Sequence, residues 1–433
     1  MTPQSQQRHQ ATTPCGDPAS TLQLRVGGPD ADIPGRNGRA IQFAIDAVAA
    51  HGGGTVLVAE GDYLLSDALR MRSGVAVIGR HGKTKLHRGP LVWSRLAVDA
   101  DKSERQMTPA DPAPWQIGMG VCLFDRLANN WVMANKPLSV VAIADGVCHF
   151  SDHLEKDVIA EAGSIAVNYF PMIIFDQADR ASIHGFDIDA AVADPDQVLA
   201  GMRNHAVFIW RSQHVHVARL TVRNALYDGI TTSSSSIGAV IEDCSVIDSG
   251  NFGIHPGSHS TDVVVRRCTI SGSGADGLWV CWGIRRGRFL DNIITGNGAR
   301  LHRSGICIGH KDTDAHFEGN HIYNNNKHGI AFRDETEANG AHRATIRNNI
   351  IENNGSRRAP QIPANEFPCS GIAIGALHRD VIIEGNTIRE TRNGPEACQR
   401  HAVVIAKGST VASLKDNTIT GHPEAPIIDL AQT

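Results

Sequence analysis

Short runs in which apolar and polar residues alternate fill the second half of this chain, and two columns recur within them. The first is Gly followed by Ile or Leu: Gly229-Ile230, Gly253-Ile254, Gly277-Leu278, Gly305-Ile306, Gly329-Ile330 and Gly371-Ile372. The intervals are 24, 24, 28, 24 and 42 residues, so the unit is 24 and the excess is loop. The second column lies upstream of each Gly. A branched or aromatic residue is followed by two variable residues, then Cys or Asn, one more residue, and Ile or Val. Cys244, Cys268, Asn292, Asn320, Asn349, Asn386 and Asn417 hold the fourth place. Two columns with one period and period-two flanks predict an all-β solenoid, a parallel β-helix. One coil is too narrow to bury its apolar face, and its strands carry unpaired N–H and C=O groups above and below. Stacking coils at about 4.8 Å pairs those groups and turns the inward Ile, Val and Leu into ladders. An Asn repeated at one bend can bond the turn backbone and the Asn of the next coil.

The period changes upstream. Residues 37–50 (NGRAIQFAIDAVAA) place Ile41, Ala44, Ile45, Val48 and Ala49 on one helical face, ending at Gly52-Gly53-Gly54. The stretch TVLVAEGDYLL then alternates as a strand. A helix at this point would cover the apolar end of the first coil, where no earlier coil exists. Residues 93–170 break the rhythm and predict an inserted loop or small β module. Residues 1–33, polar and rich in Gln, Thr and Pro, predict a loose leader. The expected organisation is therefore a leader over 1–33 and a single β-helix domain over 34–433, interrupted at 93–170.

Composition fits a solenoid: 43 Gly, 5% aromatic and 20% charged residues in 433. A net charge of −4 gives no case for nucleic acid, and no apolar run is long enough to span a membrane. The N-terminal residues lack the charged-then-apolar layout of a signal peptide, so the chain as written reads as cytoplasmic, or as secreted if a leader has been removed. Nine cysteines show no paired metal-ligand spacing. Cys244 and Cys268 fall in the inward column and predict core thiols. No metal or other cofactor is called for.

NGRAIQFAIDAVAAHGGGTVLVAEGDYLLSDALRMRSGVAVIG resembles the N-terminal cap and first coils of the pectate-lyase and polygalacturonase-like superfamily, and residues 205–430 resemble its repeats. The resemblance covers roughly two thirds of the chain and implies a right-handed, three-sheet parallel helix with sugar chemistry on one outer face. The superfamily spans lyases, hydrolases, epimerases, transferases and phage tailspikes, so fold does not fix the reaction. The polygalacturonase Asp at the Gly-Ile strand corresponds to Asp228 in LYDGI, with Asp276 in GADGL. The paired aspartates, Gly-His-Gly and Arg-Ile-Lys of that family are absent, since GIHPG carries His255 and GHKD carries His310.

The repeat supplies a geometry of its own. The residue before each Gly reads Asp228, Phe252, Asp276, Ser304, His328 and Ser370. Two after it stand Thr231, His255, Trp279, Cys307, Ala331 and Ala373, which point outward because their neighbours are inward ladders. Beyond the strand come Trp282, His310 and Asp334, then Lys311 and Glu335, then Asp312. One face thus gathers acids, imidazoles, cations and indoles. Asp228 and Asp276, two coils or about 9–10 Å apart, approach the spacing of an inverting glycosidase pair. Alternatively, Arg300, His302, Arg303, His310, Lys311 and Arg333 suit a uronate, whose C5 proton becomes acidic once its carboxylate is neutralised. Catalysis is expected from Asp228, His255, Asp276 and His310. Substrate binding is expected from Trp279, Trp282, Lys311, His328, Arg333 and Asp334, with the indoles stacking on sugar rings.

Structural readings compete with each of these. Lys311 over Glu335 and His310 over Asp334 are contacts by which stacked coils neutralise one another. Asp before Gly caps turns, His255 precedes Pro256 in a turn, and the tryptophans could pack beneath the insertion. Asp312-Thr313-Asp314 reads as a solvated turn rather than half a cation site. The expected function is a carbohydrate-active enzyme on an anionic, uronate-containing saccharide, a lyase or glycoside hydrolase. Its cleft is expected where the insertion overhangs residues 228–335. The alternatives are an intracellular isomerase, epimerase or cyclase of a small molecule, and a non-catalytic glycan-binding solenoid. The expected partner is carbohydrate or another small polar substrate, with neither monomer nor homo-oligomer favoured.

Overall fold

The computed structural model describes residues 22–132, 137–192, 204–357 and 368–431. Short strands alternate with sharp bends and build three parallel sheets of twelve, eleven and eleven strands. One sheet, from Leu69–Met71 to Ile427–Asp429, carries every Gly-Ile pair and is called here the Gly-Ile sheet. After it each coil turns into the twelve-stranded second sheet, bends at the Cys/Asn column, and runs through the third sheet back to the next Gly-Ile strand.

Register is strict. Ile230, Ile254, Leu278, Ile306, Ile330, Ile372 and Val403 lie over one another. All are fully buried. Glycine precedes all of them but Val403, for want of room. A Cβ on Gly229 would fall 2.4 Å from Val246 Cγ1, and one on Gly253 would fall 2.3 Å from Ile270 Cγ2.

The Cys/Asn column is an internal ladder. Asn320 donates through Nδ2 to Phe289 O and Asn349 Oδ1, both at 2.9 Å, while its own Oδ1 accepts from the N–H and Nδ2 of Asn292. Asn349, Asn386 and Asn417 continue the pattern. Cys244 and Cys268 occupy its first two positions as buried free thiols. A second ladder was not anticipated: Asn297, Asn325 and Asn354, each five residues beyond the first column, and then Gln399 bond each other in the same way.

Helix Gly38–Ala50 begins where the Asn37 side chain accepts from Ala40 N–H, and it buries Ile41, Ala44, Ile45 and Val48. It closes the first coil in a specific way. The Gln42 carboxamide accepts from Arg70 N–H at 2.7 Å and donates to Arg70 O at 3.1 Å, doing for the first Gly-Ile-sheet strand what a preceding strand would do. Residues 1–21 of the expected leader lie outside the described residues. Gln23–Val26, also assigned to the leader, is instead the first strand of the second sheet, paired with Gly54–Val58. Its short alternation was masked by the polar residues before it.

Between Trp93 and Val167 the chain leaves the helix and forms a separate antiparallel sheet of seven strands. It has its own core around Trp115, Leu123, Val140, Phe150 and Leu154. A cavity of about 580 Å³ separates this module from the capping helix.

Two outcomes follow. Asn320→Ala should lower stability by about 2–5 kcal/mol in urea unfolding, since it strands several buried groups at roughly 1–3 kcal/mol each. Cys244 and Cys268, both buried, should react with a thiol reagent only after unfolding; for Cys244, burial and the neighbouring Cys268 also push the thiol pKa up.

Candidate functional site

The outer face of the Gly-Ile sheet is organised in rows by the strand register. One row runs Phe208, Thr231, His255, then Trp279, Cys307, Ala331 and Ala373. A flanking row at the strand entrance carries His205, Asp228, Phe252, Asp276, Ser304, His328 and Ser370.

The early coils build a carboxylate between two imidazoles. Asp228 is fully buried, and its Oδ2 lies 2.8 Å from His255 Nδ1, 3.2 Å from His205 Nδ1 and 3.4 Å from Thr231 Oγ1. Its Oδ1 accepts from Asn251 Nδ2 at 2.9 Å and Phe252 N–H at 3.1 Å. Burial pushes the Asp228 pKa up, but the hydrogen bonds and charges of the two histidines outweigh it and hold the group far below the usual carboxylate range. An anion at Nδ1 fixes the proton there and turns His255 Nε2 away as an acceptor. The His255 side chain is 21% exposed, edge-on to Phe252. Space for the ring is kept by Gly257, where a Cβ would come within 2.9 Å of Nε2. His205 escaped sequence reading because Ala206 stands where the later coils have Gly, although its place in the row was available as a signal.

Beyond the triad an aromatic rib crosses the sheet. Phe252 stacks on Trp279 with centroids 4.4 Å apart, and the Arg333 guanidinium reaches back to 4.7 Å from the same indole. Arg333 is held by Glu335 at 3.2 Å and Cys281 Sγ at 3.4 Å. Trp279 is therefore only 9% exposed and its faces are taken by protein, so the expected sugar platform is absent there. Trp282, 58% exposed and 5.3 Å from the His310 ring, presents the open indole.

Past the rib the outward residues shrink to Cys307, Ala331 and Ala373, and a cavity of about 190 Å³ opens over them. Asp276, Arg303, Lys327, His328 and Arg333 also line it. Asp276 is buried, accepts Ser304 N–H at 2.8 Å on Oδ1, and has no hydrogen bond at Oδ2. Burial pushes its pKa up to about 6, against the pull of the Ser304 N–H and Arg303. Burial brings His328 down to about 3, helped by Lys327 and His302. This neutral ring accepts Ser370 N–H at Nδ1, leaving its proton on Nε2.

The remaining candidates sit apart from these groups. His310 and Lys311 lie in the turn after the strand, and His310 faces Glu335 at 3.5 Å. The pairings of Lys311 with Glu335 and of His310 with Asp334 are not those formed: Arg333 and His310 take Glu335, and Asp334 accepts Ala376 N–H at 2.8 Å. Asp312 is not a solvated turn residue. It is fully buried beneath three backbone N–H groups, those of Gly283, Ile284 and Gly309, at a position where earlier coils place Ser236 and Ser260. Its burial, opposed by those N–H bonds, pushes its pKa up to about 7. Among the described residues no group of three or more His, Cys, Asp or Glu could hold a metal ion, and no helix is long and apolar enough to cross a membrane. The antiparallel module reaches the early end of the face, packing Tyr169 and Trp131 near Leu226, but contributes nothing to the lining of the Asp276 cavity.

Long-range proton–nitrogen NMR spectra test the triad. His255 should carry its proton on Nδ1, and Asp228→Asn should abolish that preference while the histidine signals other than those of His205, the second imidazole on Asp228, hold their positions. Gly257→Ala should shift the His255 signals alone.

No curated protein sequence matches this chain. Among solved structures, the A-module of mannuronan C-5 epimerase AlgE4 from Azotobacter vinelandii is similar with a TM-score of 0.55 at 16% identity, over 90% of this chain and 92% of that one. The AlgE6 A-module from the same organism gives 0.53 at 14%, over 90% and 93%. A tailspike of E. coli bacteriophage HK620 in complex with pentasaccharide gives 0.55 at 14%, over 95% of this chain and 62% of the tailspike chain. At these identities the likeness is one of fold. Residues 205–432 match the family described as the right handed beta helix region, slightly more than half of the chain. The three parallel sheets and the matched repeats agree, and the chain belongs to the right-handed parallel β-helix family.

Proposed function

We propose that this chain is an enzyme acting on a uronate-containing saccharide, with His255 removing the proton α to the sugar carboxylate. The observation that carries this reading is the imidazole held at 2.8 Å through Nδ1 by the fully buried, ionised Asp228, with Nε2 at the other end of a side chain that is 21% exposed. A base in that state accepts a proton at Nε2 while the carboxylate stabilises the resulting imidazolium. The Arg333 guanidinium, brought back over Trp279 in the adjacent coil, supplies positive charge for the carboxylate of the same sugar. Electrons released from the C5–H bond enter the carboxylate as an enolate. Expulsion of the C4 oxygen, which takes a proton, completes elimination, and return of a proton to the other face completes epimerisation.

Hydrolysis fits less well. It requires two carboxyl groups that touch substrate or water, whereas both Asp228 oxygens are already bonded and none of the residue is exposed. The similar folds named above include a mannuronan epimerase and a pentasaccharide-bound tailspike, which supports a saccharide as ligand. Trp282, next to His310 in the turn after the adjacent strand, offers an exposed ring-stacking surface.

The test is a panel of polyuronates and neutral polysaccharides read three ways: absorbance of unsaturated uronate, C5 configuration by NMR, and reducing ends. Wild-type protein should yield unsaturated or C5-inverted product. His255→Ala should lose about 10²–10⁴ in rate at an unchanged melting temperature. Reducing ends without unsaturation, binding without turnover, or full activity in His255→Ala would overturn the reading.

A further inference from the structure

We propose that the cavity beyond the aromatic rib is a separate binding pocket for the carboxylate of a uronate unit, which Asp276 holds as a neutral acid by donating a hydrogen bond. The pocket deepens the anionic-saccharide reading above but rests on Asp276, Arg303, Lys327 and His328, and shares with the His255 site only Arg333, which belongs to the Phe252–Trp279–Arg333 rib between them.

Three features point to an anion. First, the space is built: the outward row gives Cys307, Ala331 and Ala373 where His255 and Trp279 stand in the preceding coils, and the hollow holds about 190 Å³. Second, the wall offers donors. Arg303 and Lys327 bring positive charge, and His328 presents Nε2–H because its Nδ1 is committed to Ser370 N–H. Ser304 Oγ is already an acceptor for His328 N–H at 3.3 Å. Third, the Asp276 carboxyl is buried at the wall with Oδ2 unpaired, and a buried polar atom without a partner is costly unless a ligand or proton meets it. An ionised Asp276 would repel a carboxylate, whereas the neutral acid pairs with it. Its pKa of about 6 makes the neutral form available in mildly acidic solution.

The sign of the pH effect follows. Below about pH 6 Asp276 carries its proton and the carboxylate binds; as pH rises through that value the proton is lost and repulsion replaces the hydrogen bond. The other groups facing Asp276 do not mimic this. Arg303, Lys327 and Arg333 are of residue types whose ordinary titration lies above this range, His328 stays neutral with its pKa near 3, and burial holds Cys307 as a thiol. Asp334 is engaged by Ala376 N–H. His302 lies close enough to His328 to disfavour its protonation and is the alternative source of a pH effect.

Calorimetric titration of a galacturonate trimer into the His255→Ala protein measures binding without turnover. The trimer should bind at least ten-fold more tightly at pH 5 than at pH 8, and its neutral galactose counterpart should show no such difference. Asp276→Asn, which keeps an acceptor for Ser304 N–H, should bind equally at the two pH values. Lys327→Ala should weaken binding at both, and His302→Asn should leave the pH effect intact. A wild-type pH effect that survives in Asp276→Asn, one that vanishes in His302→Asn, or equal affinity for the neutral trimer would overturn the proposal. Should Asp276→Asn not fold, the His302→Asn and neutral-trimer arms still decide. Turnover by the His255-intact protein is read separately, so loss of one reading does not carry the other with it.

Discussion

Main-chain pairing between coils is the constraint from which the rest of this molecule follows. A strand of three residues cannot stand alone, and every strand of a coil is an edge until another lies on it. Regular stacking answers that for the strands, but the bends between them also carry N–H and C=O groups that need partners. The two asparagine ladders answer it there, because a carboxamide can accept from one coil and donate to the next in the geometry of the strands themselves. At the start of the stack there is no coil to pair with, and Gln42 performs the same exchange with Arg70 from a helix. A carboxamide is used in each case because it carries donor and acceptor on one rigid plane.

Stacking also fixes what the outer face can do. Equivalent side chains repeat at one coil spacing, so chemistry arises by changing residues in a row and not by reshaping the backbone. Asp228 and Asp276 make the point. They occupy the same row two coils apart and both are buried, yet their pKa values move in opposite directions. The difference lies in neighbours. Asp228 receives two imidazoles, a carboxamide and an N–H, enough to hold a charge out of water; Asp276 receives one N–H.

The fold was legible because the period is a property of the chain, written in Gly, Ile and Asn at positions that stacking must repeat. The inward Cys244 and Cys268 were legible for the same reason. The site was only partly so. Asp228 and His255 could be found as successive members of outward rows, but their hydrogen bond depends on rotamers that no spacing encodes. His205 was hidden because Ala206 interrupts the Gly column. The second ladder at Asn297, Asn325 and Asn354 was present at the same period and went unread beside the stronger first column. Trp279 was correctly outward, yet alternation gives only direction. That Phe252 and Arg333 would cover it depends on long side chains from other coils leaning along the stack. Asp312 was misjudged because its surroundings in sequence are polar, whereas in space it replaces a buried turn serine.

The rib explains how one face could serve two tasks. Phe252, Trp279 and Arg333 form a continuous wall only because three coils contribute to it, and the wall is anchored at its far end by Glu335. On one side Asp228 is held as a buried anion between two imidazoles; on the other, burial lets Asp276 keep its proton to higher pH against the pull of the cations around it. If these groups shared one pocket, the Asp228 anion would raise Asp276 still further and the two acids would titrate as a coupled pair. Separation by packed aromatic rings limits that coupling and excludes water between them. A solenoid can keep opposite electrostatic environments along one face by letting side chains from a few coils close into a partition.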